Sequence, residues 1–165
     1  MLKEKIEWSA IFFLAGLFIV VNGAAEAGVA AYLGEGLRFM YGWHPLLVIL
    51  LIMWISGIAA AFVSNVSYTM AIITILGAFL SQAPLFRDQP ELQRLMWWGL
   101  VTALCLGGNG TLMGAAANLA AAGIADRAGI PVGFRGYLRY GLPVTLGSMI
   151  VASLYLSGRY FFLCR

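Results

Sequence analysis

An all-helical integral membrane protein is the fold class this sequence predicts, on three observations. Hydrophobic residues fill 62% of its 165 positions, against about 45–50% in soluble domains. Charged residues fill only 10%, where a soluble surface draws on about 25%. The charges are also clustered, because no Lys, Arg, Asp or Glu falls within 39–86, 95–125 or 140–158. Each gap has room for one or more helical crossings of a hydrocarbon core about 30 Å thick, at about 20 residues each. Disorder is excluded by the same apolar content. The length suits one membrane domain over 1–165.

The first element is expected as a helix over about 8–33, apolar except for Asn22 and Glu26. The preceding MLKEKIEW mixes acids and bases and leads into no compact apolar core with a small-residue cleavage site, so it does not read as a signal peptide. A polar loop, GEGLRFMYGWH, follows with Arg38 and the single histidine, His44. The second apolar segment opens at Pro45, a good first-turn residue, and runs to Val63. SNVSYT, Ser64 to Thr69, separates it from a shorter apolar arm over about 70–80. The loop SQAPLFRDQPELQR is aqueous in character.

A further membrane element starts near Leu95, with Trp97 and Trp98 suited to an interfacial belt. Unbroken, Leu95 to Ala125 would be roughly 45 Å long, longer than the membrane core, so a break is expected at GGNGT, Gly107 to Thr111. The charged loop DRAGIPVGFRGYLR then leads to a last helix over about 137–156. In this topology one side carries Lys3, Lys5, Arg127, Arg135 and Arg139, and the other Arg38, Arg87, Arg94, Arg159 and Arg165. Five against five is a tie under the positive-inside rule, so charge does not set the orientation. The tie holds if 45–80 dips in and out as a hairpin.

Two function classes find no support. The net charge of +3 belongs to loops and forms no basic patch, so no nucleic-acid partner is expected. Cys105 and Cys164 give neither a disulfide framework nor metal-ligand spacing. There is no Ser–His–Asp set, metal cluster or phosphate loop, and His44 sits in a loop beside Trp43 and Pro45 as an interfacial residue would. An enzyme reading has no chemistry to use.

The functional signal lies in the two polar interruptions, SNVSYT and GGNG, the latter followed nine residues on by Asn118. Polar backbone at membrane depth is tolerated only where it is buried in protein or lines a wet cavity. Broken helices offer N–H groups to anions and carbonyls to cations, and paired interruptions point to a transporter binding site. Each run also has a plainer reading. Small residues serve close helix packing, and SNVSYT also reads as a loop between two full spans. Their coincidence in one chain, each followed by an apolar half-helix of small residues, favours function. Glu26 is the one carboxylate within an apolar run, which marks a candidate site, although it lies roughly 27 Å along a helix from Trp8 and so near the far interface.

These residues resemble a family. IEWSAIFFLAGLFIVVNGAAEAGV resembles the opening of the second half in the ion transporter superfamily, which includes arsenite permeases, the P-protein branch, sodium/proton antiporters and citrate or dicarboxylate carriers. LGGNGTLMGAAANLAAAGIADRAG, followed by FRGYLRYGLPVTL, is similar to that group's second-half signature. SNVSYTMAIITIL stands where those proteins carry the tip of a re-entrant hairpin. The resemblance spans essentially the whole chain and implies one inverted-repeat half, with a re-entrant hairpin and a broken transmembrane helix meeting at the midplane.

Carried over by residue, the resemblance implies Ser64, Asn65 and Thr69 as hairpin ligands and Gly108, Asn109, Thr111 and Asn118 as broken-helix ligands, with Glu26 as a further candidate. Such carbonyls and hydroxyls suit a hard cation, which makes sodium the implied ion, with Ser64, Asn65 and Asn109 its candidates. No other cofactor is implied. In the arsenite-permease and P-protein branch an Asp precedes the hairpin Asn and a Pro follows soon after. Here Ser64 and Ser67 occupy those places, a pattern closer to sodium-coupled carboxylate carriers than to proton-coupled ones. The expected function is therefore the C-terminal repeat of a secondary transporter for a small carboxylate-type anion, by symport or antiport, in the inner cell membrane. Its expected partners are the lipid bilayer and a second repeat, from a separate N-terminal half or a second copy. The alternatives are half of an arsenite or other metalloid efflux permease, and a non-transporting membrane subunit or truncated remnant.

Overall fold

A computed structural model describes residues 8–63 and 65–163. The chain is helical throughout, with no strand among the described residues. The elements are α1 (Trp8–Glu26), α2 (Val29–Glu35), a short 3-10 turn (Arg38–Met40), α3 (Pro45–Phe62), α4 (Asn65–Gln82), α5 (Pro84–Arg87), α6 (Pro90–Gly107), α7 (Ala116–Arg127) and α8 (Phe134–Leu163).

Proline sets three of the starts. Pro45, Pro84 and Pro90 occupy the first turns of α3, α5 and α6, where the missing N–H costs nothing. The residues before the first two, His44 and Ala83, are extended, with ψ of 131° and 113°, and Gln89 before the third also stays out of the helical region, with ψ of 89°, because the proline ring disfavours that region there. Glycine sets two of the ends. Gly28 and Gly129 have φ of +80°, a conformation open to glycine without steric cost. At the end of α7 the Ile130 N–H reaches Ala125 O at 2.9 Å and the Gly129 N–H reaches Asp126 O at 3.0 Å, the paired bonds of a Schellman cap.

Gly28 corrects the first expectation. The single helix foreseen over 8–33 is two helices bent by 62°. A second correction concerns SNVSYT. Ser64 lies outside the described residues, but Asn65 to Thr69 already form the first turns of α4. Their hydroxyl does not disrupt the helix, since Thr69 Oγ1 donates back to Asn65 O at 2.6 Å. The last helix is also longer than 137–156, at 30 residues.

The core lies between α3, α6 and α8, and contacts at small residues fix their directions. A Cβ on Gly99 would touch Ile49 and Leu156, one on Gly57 would meet Met149 and Ala103, and one on Gly107 would meet Gly57. Positions along α3 and α6 thus rise together, and the two helices are parallel. Along α8 they fall: Trp54 Nε1 donates to Ser153 Oγ at 3.1 Å, the His44 and Tyr160 rings lie 5.5 Å apart, and Tyr137 reaches Asn109. The helix α8 is therefore antiparallel to both. Ile49, Met53, Met96, Leu100, Ala103, Met149 and Leu156 fill the space between them and are buried.

On the other side, α4 runs back along α3. Tyr68 OH donates to Ser56 Oγ at 3.3 Å near the turn, and the Tyr41 and Phe79 rings sit 5.4 Å apart at the far end. The helix α2 covers the end of α4, with Gly34 against Ala78 and Phe79. By length and composition α3, α4 and α8 are each able to cross a membrane, and the bent α1–α2 pair makes a fourth if it is one span. Large apolar side chains such as Phe12, Ile19, Val144, Leu154 and Phe162 are exposed, as befits surface that meets lipid or protein rather than water. The chain is a membrane protein.

Candidate functional site

The break foreseen after α6 lies against the end of α3, the helix that precedes SNVSYT. Parallel α3 and α6 bring their C-terminal ends to the same level. The Thr111 hydroxyl, in the segment after α6, donates to Ala61 O in the last turn of α3. Gly110 lies against Ala61, and Gly114 against Ala60 O. The contact is backbone on backbone. A Cβ on Gly107 would come within 2.7 Å of the Gly57 Cα, and one on Gly114 would overlap the Gly108 carbonyl. None of Gly57, Gly107, Gly108, Gly110 and Gly114 has a positive φ. At Gly107 and Gly114 a side chain would run into backbone, and at the other three the neighbours are close enough to favour the smallest residue.

The segment 108–115 is not a slack loop. Gly108, the C-cap of α6, donates its N–H to Leu104 O, and Asn109 and Gly110 donate theirs to Leu106 O and Gly107 O at 3.1 and 2.9 Å. Thr111 is 1% exposed and its hydroxyl also accepts the Gly114 N–H at 3.1 Å. Asn118, in the first turn of α7, donates from one amide nitrogen to Gly108 O and to Thr111 O, both at 3.0 Å. Asn118 therefore clasps the segment with its N–H groups, and Thr111 ties it to α3. The break itself spans GNGTLMGA, wider than GGNGT.

The remaining expected residues sit apart from this clasp in different ways. Asn109 is exposed; its amide donates to Cys105 O at 3.4 Å, and its backbone carbonyl accepts the Tyr137 hydroxyl at 3.2 Å. Asn65 and Thr69 share one face of α4 a turn apart, with Thr69 Oγ1 3.3 Å from Asn65 Oδ1. The link between α3 and the break passes through Ala60 and Ala61, the latter three residues before Ser64. Glu26 is the exposed last residue of α1, at a bend whose far arm packs on the Ala78–Phe79 end of α4. His44 is exposed at the start of α3 against Tyr160.

Sequence reasoning missed Gly57, Ala61 and Tyr137. Gly57 had a signal in WISGIAA, a run of small residues in an apolar helix, and Tyr137 in FRGYLRYG. Ala61 had none, since it takes part through its carbonyl.

Electrostatically the junction is polar but uncharged. The three ion pairs among the described residues, Arg38–Glu35, Arg87–Asp88 and Arg94–Glu91, are all at exposed positions in the connections or the first turn of α6. No group of His, Cys, Asp or Glu able to hold a metal is found among the described residues. What the junction does have is helix ends. α3 and α6 deliver the negative ends of their dipoles to one level, while α4 and α7 begin beside them without a side-chain cap on α7. Along α8 that level is Gly141 to Thr145, since Gly141 meets Asn109 O and Thr145 Oγ1 lies 3.5 Å from Leu106 O. Arg139 is within a turn of it, so the junction sits toward one end of the charge-free stretch 140–158.

Residues 1–97 match the family model described as citrate transporter. The chain belongs to the citrate transporter family. It is 31% identical over 157 residues to the 46 kDa membrane protein of Mycobacterium leprae (strain TN), covering 95% of this chain and 36% of the relative. It is 33% identical over 158 residues to the P protein of Mus musculus, covering 93% of this chain and 18% of the relative. To an uncharacterized transporter of Mycobacterium tuberculosis (strain ATCC 25618 / H37Rv) it is 32% identical over 158 residues, 96% of this chain and 36% of the relative. The chain thus spans little over a third of these mycobacterial relatives and under a fifth of the P protein. Family and relatives together make it a membrane protein of a transporter family.

Proposed function

We propose that this chain forms one repeat of a multi-pass secondary transporter of the inner cell membrane, carrying a small carboxylate anion with sodium as the coupled ion. In this reading α3–α4 is a re-entrant hairpin and α6–α7 a broken transmembrane helix. Membership of the citrate transporter family supports the substrate class. The single observation that carries the mechanism is the meeting of two parallel helix C-termini with two helix starts at one uncharged level. Carbonyl ends favour a cation and N–H ends an anion. A site with both, and no fixed charge, suits an anion that arrives with its own counter-ion.

Asn65, Thr69 and Ser64 on the hairpin side and Asn109 on the broken helix supply the oxygens for sodium, a hard cation that takes oxygen ligands. Amide and backbone N–H groups hold the carboxylate. Thr111 and Asn118 act by holding the 108–115 segment in shape, their hydrogen-bonding capacity being largely spent on carbonyls. A second repeat, from an N-terminal half or from a second copy, supplies the facing half of the cavity. Alternating access then moves this junction against that scaffold.

Thermal unfolding of the chain in detergent, with and without sodium and citrate, tests the reading. Ligand at about 100 times Kd stabilises by about 2.7 kcal/mol, which for a chain of this size is a shift of about 5–10 °C at most. The expected result is a shift that needs both sodium and citrate, and that is lost in Asn65→Ala and Asn109→Ala while both still insert. Absence of any shift in the unaltered chain, alone and with its partner half, would favour an inert membrane module.

A further inference from the structure

Beside the junction, between the 131–133 segment and the start of α8, the structure has an open groove of about 620 Å³. Asn109, Pro131, Gly133, Tyr137, Tyr140 and Val144 line it. Tyr137, Tyr140 and Val144 stand on one face of α8, at the three- and four-residue spacing that makes a continuous stripe. Asn109, in the segment after α6, is one of the lining residues, so the groove reaches the break.

Tyr137 shapes the groove at Asn109. Its hydroxyl donates to Asn109 O at 3.2 Å. Its ring lies so close over Gly141 that a Cβ there would meet Tyr137 Cε1 at 2.8 Å and Asn109 O at 3.0 Å. Tyr137, Gly141 and the Asn109 carbonyl thus fit together as one unit. Tyr140, also in the lining, is 72% exposed. No acidic side chain lines the groove, and the end of α7 and the first turns of α8 beside it carry Arg127, Arg135 and Arg139 against the single acid Asp126, a balance that raises the local concentration of anions. On the opposite side of the junction Met53, Leu100, Ala103, Met149 and Leu156 are packed and buried.

We propose that this groove is the mouth of the transport site, through which a small carboxylate anion enters from the face carrying Arg127, Arg135 and Arg139. Tyr137 is a positioning residue that holds the Asn109 carbonyl. Tyr140 offers its hydroxyl to the carboxylate on its way in. The inference rests on the transport reading above and adds to it a direction of access and two residues that the helix breaks do not contain.

The experiment labels cysteines in the full chain in lipid vesicles, after Cys105→Ser and Cys164→Ser remove the native thiols. Tyr140→Cys replaces an exposed side chain, and Val66→Cys, at an exposed position beside Asn65 with no assigned ligand role, reports on the hairpin side of the site. A membrane-impermeant maleimide should modify Tyr140→Cys from one side of the membrane only, and sodium plus citrate should slow that reaction at least fivefold. Val66→Cys should be protected as well. Adding Tyr137→Phe should raise the citrate concentration that half-protects Val66→Cys several-fold, without changing its labelling rate in the absence of citrate. Protection of Val66→Cys but not of Tyr140→Cys would overturn the mouth and leave the transport reading standing. Modification of Tyr140→Cys by a lipid-soluble maleimide alone would overturn it too, placing the residue against lipid. An unchanged half-protecting concentration in Tyr137→Phe would remove Tyr137 from the proposal. Protection at neither cysteine would overturn the transport reading and this inference with it.

Discussion

α6 and α7 are the two arms of one interrupted element, and they are held in opposite ways. Along α6, Leu92, Leu95, Met96, Gly99, Leu100, Ala103, Leu104 and Gly107 are buried, one side chain per turn or better against α3 and α8. Along α7 no residue is buried. The contrast is not one of polarity, since both arms are largely apolar. It is one of partners: α6 lies in a groove between two long helices, whereas α7 is fastened at its first turn by Asn118 and at its end by the Gly129 cap. One arm is thus held along its length and the other mainly at its start, and the clasp at 108–118 sets the direction in which the second leaves.

The largest expected effect comes from closing the space between the fixed arms. Gly107→Val puts side-chain atoms where the Gly57 backbone already is, and backbone of two packed helices has nowhere to move. A loss of about 3 kcal/mol or more, the upper range for overpacking, is expected in detergent unfolding, along with poor yield of folded protein. Near-normal stability would show that α3 and α6 are not in backbone contact.

Next comes the tie between α3 and the break. Thr111→Val keeps the shape but leaves the Ala61 carbonyl and the Gly114 N–H without their buried partner. An orphaned buried group costs about 1–3 kcal/mol, so a drop in that range is expected, with Thr111→Ser recovering most of it. Asn118→Ala removes two donors to carbonyls that are less enclosed. It should cost about 1 kcal/mol while raising hydrogen exchange in α7 and leaving α6 protected. Equal loss of protection in both arms would mean that they open together, and the contrast between them would fail.

How far these features could be read from the chain follows from what each depends on. The break at GGNG was legible because four positions without a large side chain cannot fill a helix surface, and because an unbroken 95–125 would overrun the bilayer. The bend at Gly28 was not. Gly16 and Gly23 stand in the same apolar run and continue the helix, and nothing local distinguishes the glycine that takes φ of +80°. SNVSYT misled for a different reason: polar residues read as a separator between two apolar arms continue as helix from Asn65 on, with the Thr69 hydroxyl turned back on Asn65 O four residues earlier. At the site, polar residues announced themselves, but their division of labour did not. Thr111, Asn118 and Asn109 look alike as ligand candidates in sequence. Only the positions of Ala61 O, Gly108 O and Tyr137 separate the residues that hold the segment from the one whose side chain faces outward.

The smallest expected effect tests the arm held mainly at its start. Ala120 is exposed in the middle of α7, and leucine is nearly as good a helix former as alanine. If α7 packs on nothing within this chain, Ala120→Leu gains no clash and loses no contact, and stability should stay within about 0.5 kcal/mol of the unaltered chain. The same substitution on the fixed arm, Ala103→Leu, enters a position with 0% exposure and should cost about 1–3 kcal/mol. The pair measures the comparison rather than either residue, because propensity is matched and only the surroundings differ. Equal costs would show that α7 is packed as closely as α6. A cost at Ala120 that arises only when a second repeat or second copy is present would locate the surface that covers α7, and would make that arm an interface.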